Sequence, residues 1–295
     1  MTSLLMNDDQ IKYDELMTNG FMVEATMAAY AAGKPAMKLT ESLETGGNND
    51  MALGVVSKGG IDLVTAVDKK CEENIFKRLR QRFEGEGHQF IGEESSGDVV
   101  LTDSYTWCVD PIDGTTNFVH SLTPLFAISI GLLHNKKPIL GVIYVPAADE
   151  LFQAAEGYGS YLNGRKIAVD DSSNVSEALI ATNFGHSRDP QIVQDQVTCV
   201  HGLMKENARS IRMLGSCCVS MAYVAAGKLS AYYENDIGGI WDVAAGACII
   251  QEAGGVISSP LGVMKLTLEV GKQKMLCGNK DIVHAVSTIL QKCQQ

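Results

Sequence analysis

The sequence predicts a protein of the α+β class whose second half alternates strands and helices. Between residues 67 and 83 apolar side chains recur every four positions, which is typical of an amphipathic helix. Strand-like runs then predict a mixed sheet with helices, and they lie at 89–92, 105–109, 126–133 and 138–145. After Ser176 the rhythm changes to alternating strands and helices, which predicts a layered α/β arrangement.

The individual elements follow from local signals. An apolar periodicity predicts a first helix over about 10–33, and a polar, glycine-rich loop then covers Gly46 to Asp50 with Lys58, Gly59 and Gly60. Thr65 followed by Asp68 resembles a capping box, which places Asp68 in the first turn of the next helix. Asn163-Gly164 indicates a hairpin turn.

The second half continues with short strands and longer helices. Strands are predicted at 178–182, 209–213 and 229–233, with a further short strand and another near Met275. Helices are predicted at 216–226 and 241–253 and at the end of the chain. Because 295 residues exceed the usual single-domain length, we expect two halves, 1–175 and 176–295, that pack as one compact unit.

Composition excludes several classes of protein. A net charge of −11 argues against sequence-independent binding to nucleic acid or anionic lipid, and no apolar run reaches the roughly 20 residues of a membrane helix. The eight cysteines have no CxxC spacing, so we interpret them as reduced core thiols. The start of the chain, MTSLLMNDDQIKYDEL, lacks the features of a signal or transit peptide, and a cytoplasmic location is expected.

Three short acidic segments carry the candidate chemistry, and each lies at a predicted strand end or helix start. They are GEES at 92–95, DPIDGTTNF at 110–118 and WDVAAG at 241–246. Magnesium prefers oxygen ligands, and it is usually held by a few carboxylates together with water and substrate phosphate oxygens. Carboxylates from separate segments that converge on one point therefore predict a magnesium site.

The DPIDGTT segment is suited to bind both a metal and an anion. Pro111 stiffens the chain and Gly114 permits close backbone approach, so Asp110 and Asp113 can point to one side with the Ile112 carbonyl free as a ligand. The following residues, 115–117, look like a helix start, where backbone N–H groups favour a phosphate.

Each acidic residue also has an ordinary structural interpretation. Glu93 and Glu94 are compatible with solvated turn acids, and Asp113-Gly114 with a simple turn. Asp242 is compatible with a helix-start acid, and Asp68 with a cap partner. Singly, none of these motifs decides the function.

Together, in this order, the motifs resemble the inositol monophosphatase family, within the lithium-sensitive, magnesium-dependent phosphatase superfamily. The resemblance covers nearly the whole chain, through DLVTAVD at 62–68, FIGEES at 90–95, WCVDPIDGTTNFVH at 107–120, IRMLGS at 211–216, YYE at 232–234 and WDVAAGA at 241–247. It implies a layered αβαβα sandwich of the inositol monophosphatase and fructose bisphosphatase type.

The resemblance also implies roles for individual residues. A first Mg²⁺ would be bound by Glu93, Asp110 and the Ile112 carbonyl, and a second by Asp110, Asp113 and Asp242, with a third, weaker site near Glu93. Asp68 with Thr115 would orient and deprotonate the attacking water. The implied reaction is in-line attack of that water on phosphorus, without a covalent intermediate.

Substrate contacts are implied in the same way. They would come from Asp113, Gly114, Thr115, Gly215, Ser216, Cys217, Glu234 and Asp242, and Lys58 matches a basic position on a mobile loop near the metals. Glu234 is also compatible with a strand-end acid and Ser216 with the N-cap of the next helix.

Two features depart from the animal members of the family. The segment between Glu234 and Asp242 is one residue longer and is similar to plant-type relatives that also accept galactose 1-phosphate. Cys217 and Cys218 stand where small residues such as alanine are common.

The expected activity is hydrolysis of inositol monophosphate by a homodimer. L-galactose 1-phosphate, histidinol phosphate and fructose 1,6-bisphosphate are alternative substrates, and an inactive scaffold or regulatory binding protein is an alternative of another class. The scaffold alternative predicts loss of a metal carboxylate or of the Asp68/Thr115 pair, and all of them are present.

Overall fold

A computed structural model describes residues 20–43, 56–59, 62–64, 66–95, 99–185, 187–260, 268 and 273–293. The helices in these ranges are α1 (Phe21–Leu43), α2 (Ala66–Phe83), α3 (Thr115–Val119), α4 (Pro190–Lys205), α5 (Cys217–Ala225), α6 (Ile240–Glu252) and α7 (Lys280–Cys293). Short 3₁₀ turns lie at Glu84–Glu86, Pro146–Ala148 and Val175–Glu177.

The first large sheet has seven strands in the order β3-β4-β5-β6-β7-β8-β9. Its strands are β3 (Gln89–Gly92), β4 (Thr106–Asp113), β5 (Ala127–His134), β6 (Lys137–Val145), β7 (Glu150–Ala155), β8 (Gly159–Leu162) and β9 (Arg165–Ile167). β3 and β4 are parallel, and every later neighbour pair is antiparallel. This antiparallel meander needs only short connections, which explains its continuity in the sequence.

The second large sheet has five strands in the order β11-β10-β12-β14-β13. They are β10 (Leu179–Thr182), β11 (Ser210–Arg212), β12 (Ala231–Ile237), β13 (Val256–Ser258) and β14 (Gln273–Gly278). β10 is parallel to both neighbours, whereas β14 runs antiparallel to β12 and β13. A separate antiparallel hairpin joins β1 (Val56–Gly59) to β2 (Asp62–Val64).

Helices and sheets alternate as five layers. α1 and α2 pack together on the seven-stranded sheet, α5 and α6 lie between the two sheets, and α4 and α7 pack against each other on the five-stranded sheet. Three apolar clusters fill the spaces between these layers, and the middle cluster joins both sheets through α5 and α6. The layered αβαβα fold implied by the family resemblance is therefore confirmed.

Helix α6 lies directly on the backbone of the seven-stranded sheet. Gly131 on β5 and Gly141 on β6 face each other in register. A Cβ atom at Gly131 would lie 2.7 Å from the Ala244 Cβ, and one at Gly141 would collide with the Ala245 carbonyl oxygen. Because glycine has no side chain, α6 approaches these strands more closely than it could with any other residue at either position.

Several sequence predictions are confirmed in detail. β3 has the predicted bounds, and α2, α5 and α6 agree with the predicted helices to within one or two residues. Asn163 and Gly164 join β8 to β9 with φ values of 49° and 74°. Such a two-residue turn with two positive φ angles is what the Asn-Gly signal predicts.

Other elements differ from the predictions. α1 extends to Leu43 rather than ending near residue 33, and its expected start at 10–19 lies outside the described residues. Gly33 lets the helix pass closely over Tyr144, where a Cβ would lie 2.7 Å from the ring, so packing on the sheet supports a helix that continues past residue 33. Lys58 and Gly59 belong to β1 and not to a loop, while residues 44–55, Gly60 and Thr65 lie outside the described residues.

Candidate active site

Three carboxylates meet where β4 ends and α6 begins. Asp110 and Asp113 belong to β4, and Asp242 lies in the first turn of α6. Each offers a carboxylate oxygen, and these oxygens all lie within 4.8 Å of one another. The structure therefore brings together residues that are 132 positions apart in the sequence, counted from Asp110 to Asp242.

A β-bulge explains how both aspartates of β4 reach the same side. We expected DPID to follow the strand as an irregular loop, but β4 continues to Asp113. Asp110 pairs with Ser129 and Asp113 with Ala127, so Pro111 and Ile112 oppose the single residue Ile128. Side chains three apart on a regular strand point to opposite faces, and the extra residue removes this mismatch.

Asp113 is held by the start of α5. Its Oδ2 accepts hydrogen bonds from the Ser216 hydroxyl and from the Cys218 backbone N–H at 2.8 Å, and its Oδ1 accepts from the Cys217 N–H at 3.3 Å. The Ser216 hydroxyl also accepts from the Val219 N–H at 3.1 Å, which confirms Ser216 as the N-cap of α5. Its contact with substrate stays a prediction.

Asp242 caps the start of a helix and also belongs to the group of three carboxylates. Its Oδ2 accepts a hydrogen bond from the Gly239 backbone N–H at 2.7 Å, so it caps the start of α6. The same side chain lies in the group of three carboxylates. A helix-start acid and a metal ligand are therefore compatible here, because one carboxylate has several acceptor positions.

Burial and the mutual repulsion of the three carboxylates disfavour their ionised forms. Burial raises the pKa of Asp110 well above its usual range, and the charges of Glu93 and Asp113 raise it further. Burial likewise raises the pKa of Asp113, and burial together with the charge of Asp113 raises that of Asp242. A cation among these carboxylates would favour their ionised forms.

The donors fit magnesium rather than a soft metal. Cys217 and Cys218 are the nearest thiols on α5, and burial raises the pKa of both well above the usual range, so they stay protonated. Protonated thiols are poor metal ligands, whereas carboxylate oxygens suit Mg²⁺. Glu93 follows β3, lies outside the tight group of three, and lines the same cavity.

Asp68 and Thr115 meet beside the carboxylates. Asp68 is completely buried in the first turn of α2, and its Oδ1 accepts a hydrogen bond from the Thr115 hydroxyl at 3.2 Å. The same hydroxyl lies 3.1 Å from the Ile112 carbonyl oxygen. The Ile112 carbonyl oxygen is thus within reach of this donor, and its second lone pair leaves its predicted role as a metal ligand possible. A hydroxyl has one proton, so Thr115 can donate to only one of the two acceptors at a time.

These residues line one end of a cavity of about 720 Å³. Of the predicted site residues, its walls include Glu93, Asp110, Ile112, Asp113, Gly114, Thr115, Gly215, Cys217, Glu234 and Asp242. Asp68 and Ser216 have no exposed surface and lie behind the lining. The side chain of Lys58 lies outside the described residues.

Glu234 lines the same cavity and has an unusual environment. Its Oε2 accepts hydrogen bonds from the Tyr232 hydroxyl and from Asn183 Nδ2, the latter at 2.9 Å. Burial raises its pKa to about 7, against the lowering effect of these hydrogen bonds. Glu234 is therefore a buried acid whose charge changes near neutral pH.

Comparison with known proteins agrees with this geometry. The model of the inositol monophosphatase family matches residues 22–295. The chain belongs to the inositol monophosphatase family. It is 48% identical over 211 residues to inositol monophosphatase 3 of Solanum lycopersicum, a match that covers 70% of this chain and 77% of the relative. As a member of this family, the chain is a phosphoric monoester hydrolase.

Solved structures of related proteins share the fold. The extragenic suppressor protein suhB from Bartonella henselae superposes with a TM-score of 0.80 at 32% identity, covering 92% of this chain and 99% of that one. Inositol monophosphatase from Anabaena (Nostoc) gives a TM-score of 0.75 at 33% identity, covering 94% and 97%.

Sequence reasoning missed two residues that shape the site of this family member. Asn183 directly follows β10, donates to Glu234 and accepts from the Gly215 N–H at 3.0 Å, so it joins two cavity walls. Glu72 on α2 is 3% exposed and accepts from the Glu94 N–H at 2.8 Å, next to Glu93. Its position four residues after Asp68, on the same helix face, was the available signal.

Proposed function

We propose that the chain hydrolyses inositol monophosphate to inositol and phosphate, with two or three Mg²⁺ ions per active site. Their ligands would be Glu93, Asp110, the Ile112 carbonyl, Asp113 and Asp242. The observation that carries the proposal is the convergence of three carboxylates at the end of a cavity that also holds the Asp68–Thr115 pair. Family membership supports the same reaction.

Bound Mg²⁺ lowers the pKa of a coordinated water and neutralises charge on the phosphate and the leaving oxygen. The chain supplies the acceptor for the proton of that water. Thr115 lies between Asp68 and the Ile112 carbonyl, so its hydroxyl can donate to Asp68 and accept from the water. No side chain of the chain is needed as a nucleophile.

The substrate alcohol would lie toward Glu234, which lines the same cavity as the carboxylates. Backbone N–H groups of Gly114 and Thr115 at the start of α3 would bind the phosphate, and the 215–217 segment would face the alcohol through Gly215 and Cys217, with Ser216 behind them. Six acidic side chains and no basic one occur among the described residues of the lining. This balance favours a monophosphate of a neutral polyol over a bisphosphate.

A panel of esters tests the substrate. Phosphate release from inositol 1-phosphate, L-galactose 1-phosphate, histidinol phosphate and fructose 1,6-bisphosphate would be measured with Mg²⁺ and with chelator. We expect the highest kcat/KM for inositol 1-phosphate, with L-galactose 1-phosphate next. Absence of Mg²⁺-dependent release from every ester, by a folded protein, would instead support an inactive scaffold.

Three further properties complete the proposal. A cytoplasmic location is supported by the eight free cysteines. A homodimer is supported by the family resemblance alone, and light scattering coupled to gel filtration would test it. Inhibition by lithium follows if Li⁺ takes one of the Mg²⁺ positions. Within the described residues, no helix is long and apolar enough to cross a membrane.

A further inference from the structure

Strand β12 contains a second bulge, next to Glu234 in the lining of the cavity. Glu234 pairs with Met275 on β14, whereas Ile237 pairs with Gln273. Asn235 and Asp236 therefore oppose the single residue Lys274. A bulge of this kind redirects side chains locally.

The bulge brings a second acidic residue to the same wall as Glu234. Asp236 is 9% exposed, and it lines the cavity together with Glu234 and Ile237. Its charge is one of the causes that raise the pKa of Glu234. The two acidic residues thus line the same cavity close enough to interact, and the proposed function places the alcohol of the substrate beside Glu234.

Neighbouring backbone fixes the position of Asp236. Its Oδ2 accepts a hydrogen bond from the Ser187 N–H at 2.9 Å, and Gly185 packs so closely that a Cβ there would lie 2.7 Å from the Asp236 Cβ. A carboxylate has about four acceptor positions, so a carboxylate that is held by the protein can also accept a hydrogen bond from a substrate hydroxyl.

We propose that Asp236 is a specificity-determining residue, which favours phosphate monoesters of polyhydroxy alcohols and disfavours esters with a second anionic group. Its carboxylate accepts a charge-assisted hydrogen bond from a hydroxyl group of the alcohol. The same charge repels a second phosphate in a cavity whose described lining has no basic side chain. This inference rests on the proposed phosphatase function.

Three probes separate the possible roles. Inositol 1-phosphate has hydroxyls, p-nitrophenyl phosphate has none, and fructose 1,6-bisphosphate has a second phosphate and is measured both as substrate and as competitor. In Asp236→Asn, we expect KM for inositol 1-phosphate to rise about 5- to 20-fold, from loss of a charge-assisted bond, while p-nitrophenyl phosphate kinetics stay within about 2-fold. Fructose 1,6-bisphosphate should bind about 5-fold more tightly or better.

The side-chain oxygen of Asn in Asp236→Asn can still accept the hydrogen bond from the Ser187 N–H. If Asp236 has a structural role only, the ratios of kcat/KM among the three probes should therefore stay unchanged. Asp236→Ala removes both the charge and this acceptor, and it serves as a second variant if the first does not fold. Asp171→Asn is the control, because Asp171 is exposed and does not line the cavity.

Two results would overturn the inference. One is the same ratio of kcat/KM values in wild type and Asp236→Asn, and the other is an equal loss for all three probes in Asp236→Ala. Wild-type protein that fails to hydrolyse p-nitrophenyl phosphate with Mg²⁺ would refute the phosphatase function itself, which is a distinct outcome.

Discussion

The pairing of Asp68 with Thr115 predicts that the two residues act as one catalytic unit. Their side chains are joined at 3.2 Å, and the Thr115 hydroxyl has the Ile112 carbonyl as its alternative acceptor at 3.1 Å. Because the hydroxyl has a single proton, its donation to Asp68 would leave the Ile112 carbonyl available as a metal ligand. Loss of either side chain then breaks the same proton path.

The magnitude follows from the role of a general base. Asp68→Asn and Thr115→Ala should each lower turnover on the order of 10²–10⁴-fold, which corresponds to about 3–5 kcal/mol. Independent effects would multiply to about 10⁴–10⁸-fold in the double variant, whereas a single unit keeps it close to either single variant. As a mere helix-start acid, Asp68→Asn would cost about 0.5–2 kcal/mol of stability with a near-normal rate.

The assay is turnover against pH for wild type, both single variants and the double variant. Mg²⁺ titration and thermal melting accompany it, because neither residue belongs to the group of three carboxylates. We expect Mg²⁺ affinity to change little and the melting temperature to fall by about 2–4 °C per kcal/mol lost. Multiplicative losses of rate in the double variant would refute the coupled pair.

Four other predictions concern the metals and the walls of the cavity. Activity should disappear in chelator and fall with lithium, and full activity in chelator would contradict the metal site. Asp113→Asn should lower turnover by orders of magnitude. It should also cost about 1–3 kcal/mol of unfolding free energy, because the new amide N–H groups would face the backbone donors of α5. Near-normal turnover would mean that Asp113 has a structural role only. Glu72→Gln should weaken Mn²⁺ binding, measured by calorimetry, about 10- to 100-fold, because the Glu94 backbone N–H loses its charged acceptor. The control Glu73→Gln, at an exposed position, should leave the affinity unchanged. Equal Mn²⁺ affinities in Glu72→Gln and wild type would exclude a supporting role of Glu72 in metal binding. The raised pKa of Glu234 favours its protonated form in the folded state, so the stability it contributes is complete below its ordinary pKa of 4.5 and is lost as the pH rises to about 7. Denaturant unfolding should show wild type losing about 3 kcal/mol relative to Glu234→Gln over that interval, and parallel curves would contradict the shift.

The sequence predicted most of the central elements and the acidic motifs of the site. Helical periodicity identified α2, which buries one face, and strand-like runs identified β3, β5 and β6, of which β5 and β6 are buried along most of their length. The backbone conformation of the acidic motifs was harder to predict from the sequence. Whether DPID forms a loop or a bulged strand depends on the register of β4 against β5, and that register involves residues far along the chain.

The missed residues have the same physical origin. Asn183 matters because it contacts Glu234 and Gly215, which are 51 and 32 positions away. No local pattern distinguishes it from any other asparagine after a strand. Only the pairing of β12 with β14 shows that Asn235 and Asp236 form a bulge, and Asp236 lines the cavity.

The direct contact of α6 with the glycine pair on β5 and β6 fixes the distance between this helix and the seven-stranded sheet. Asp242 stands at the start of α6, and the helix lies against Gly131 and Gly141 with no side chain between. Interiors are too densely packed to absorb an added methyl group without movement. The distance between Asp242 and the aspartates of β4 is therefore set by two residues that have no functional group. Tolerance to substitution in this enzyme should be narrow at these positions, although neither lines the cavity.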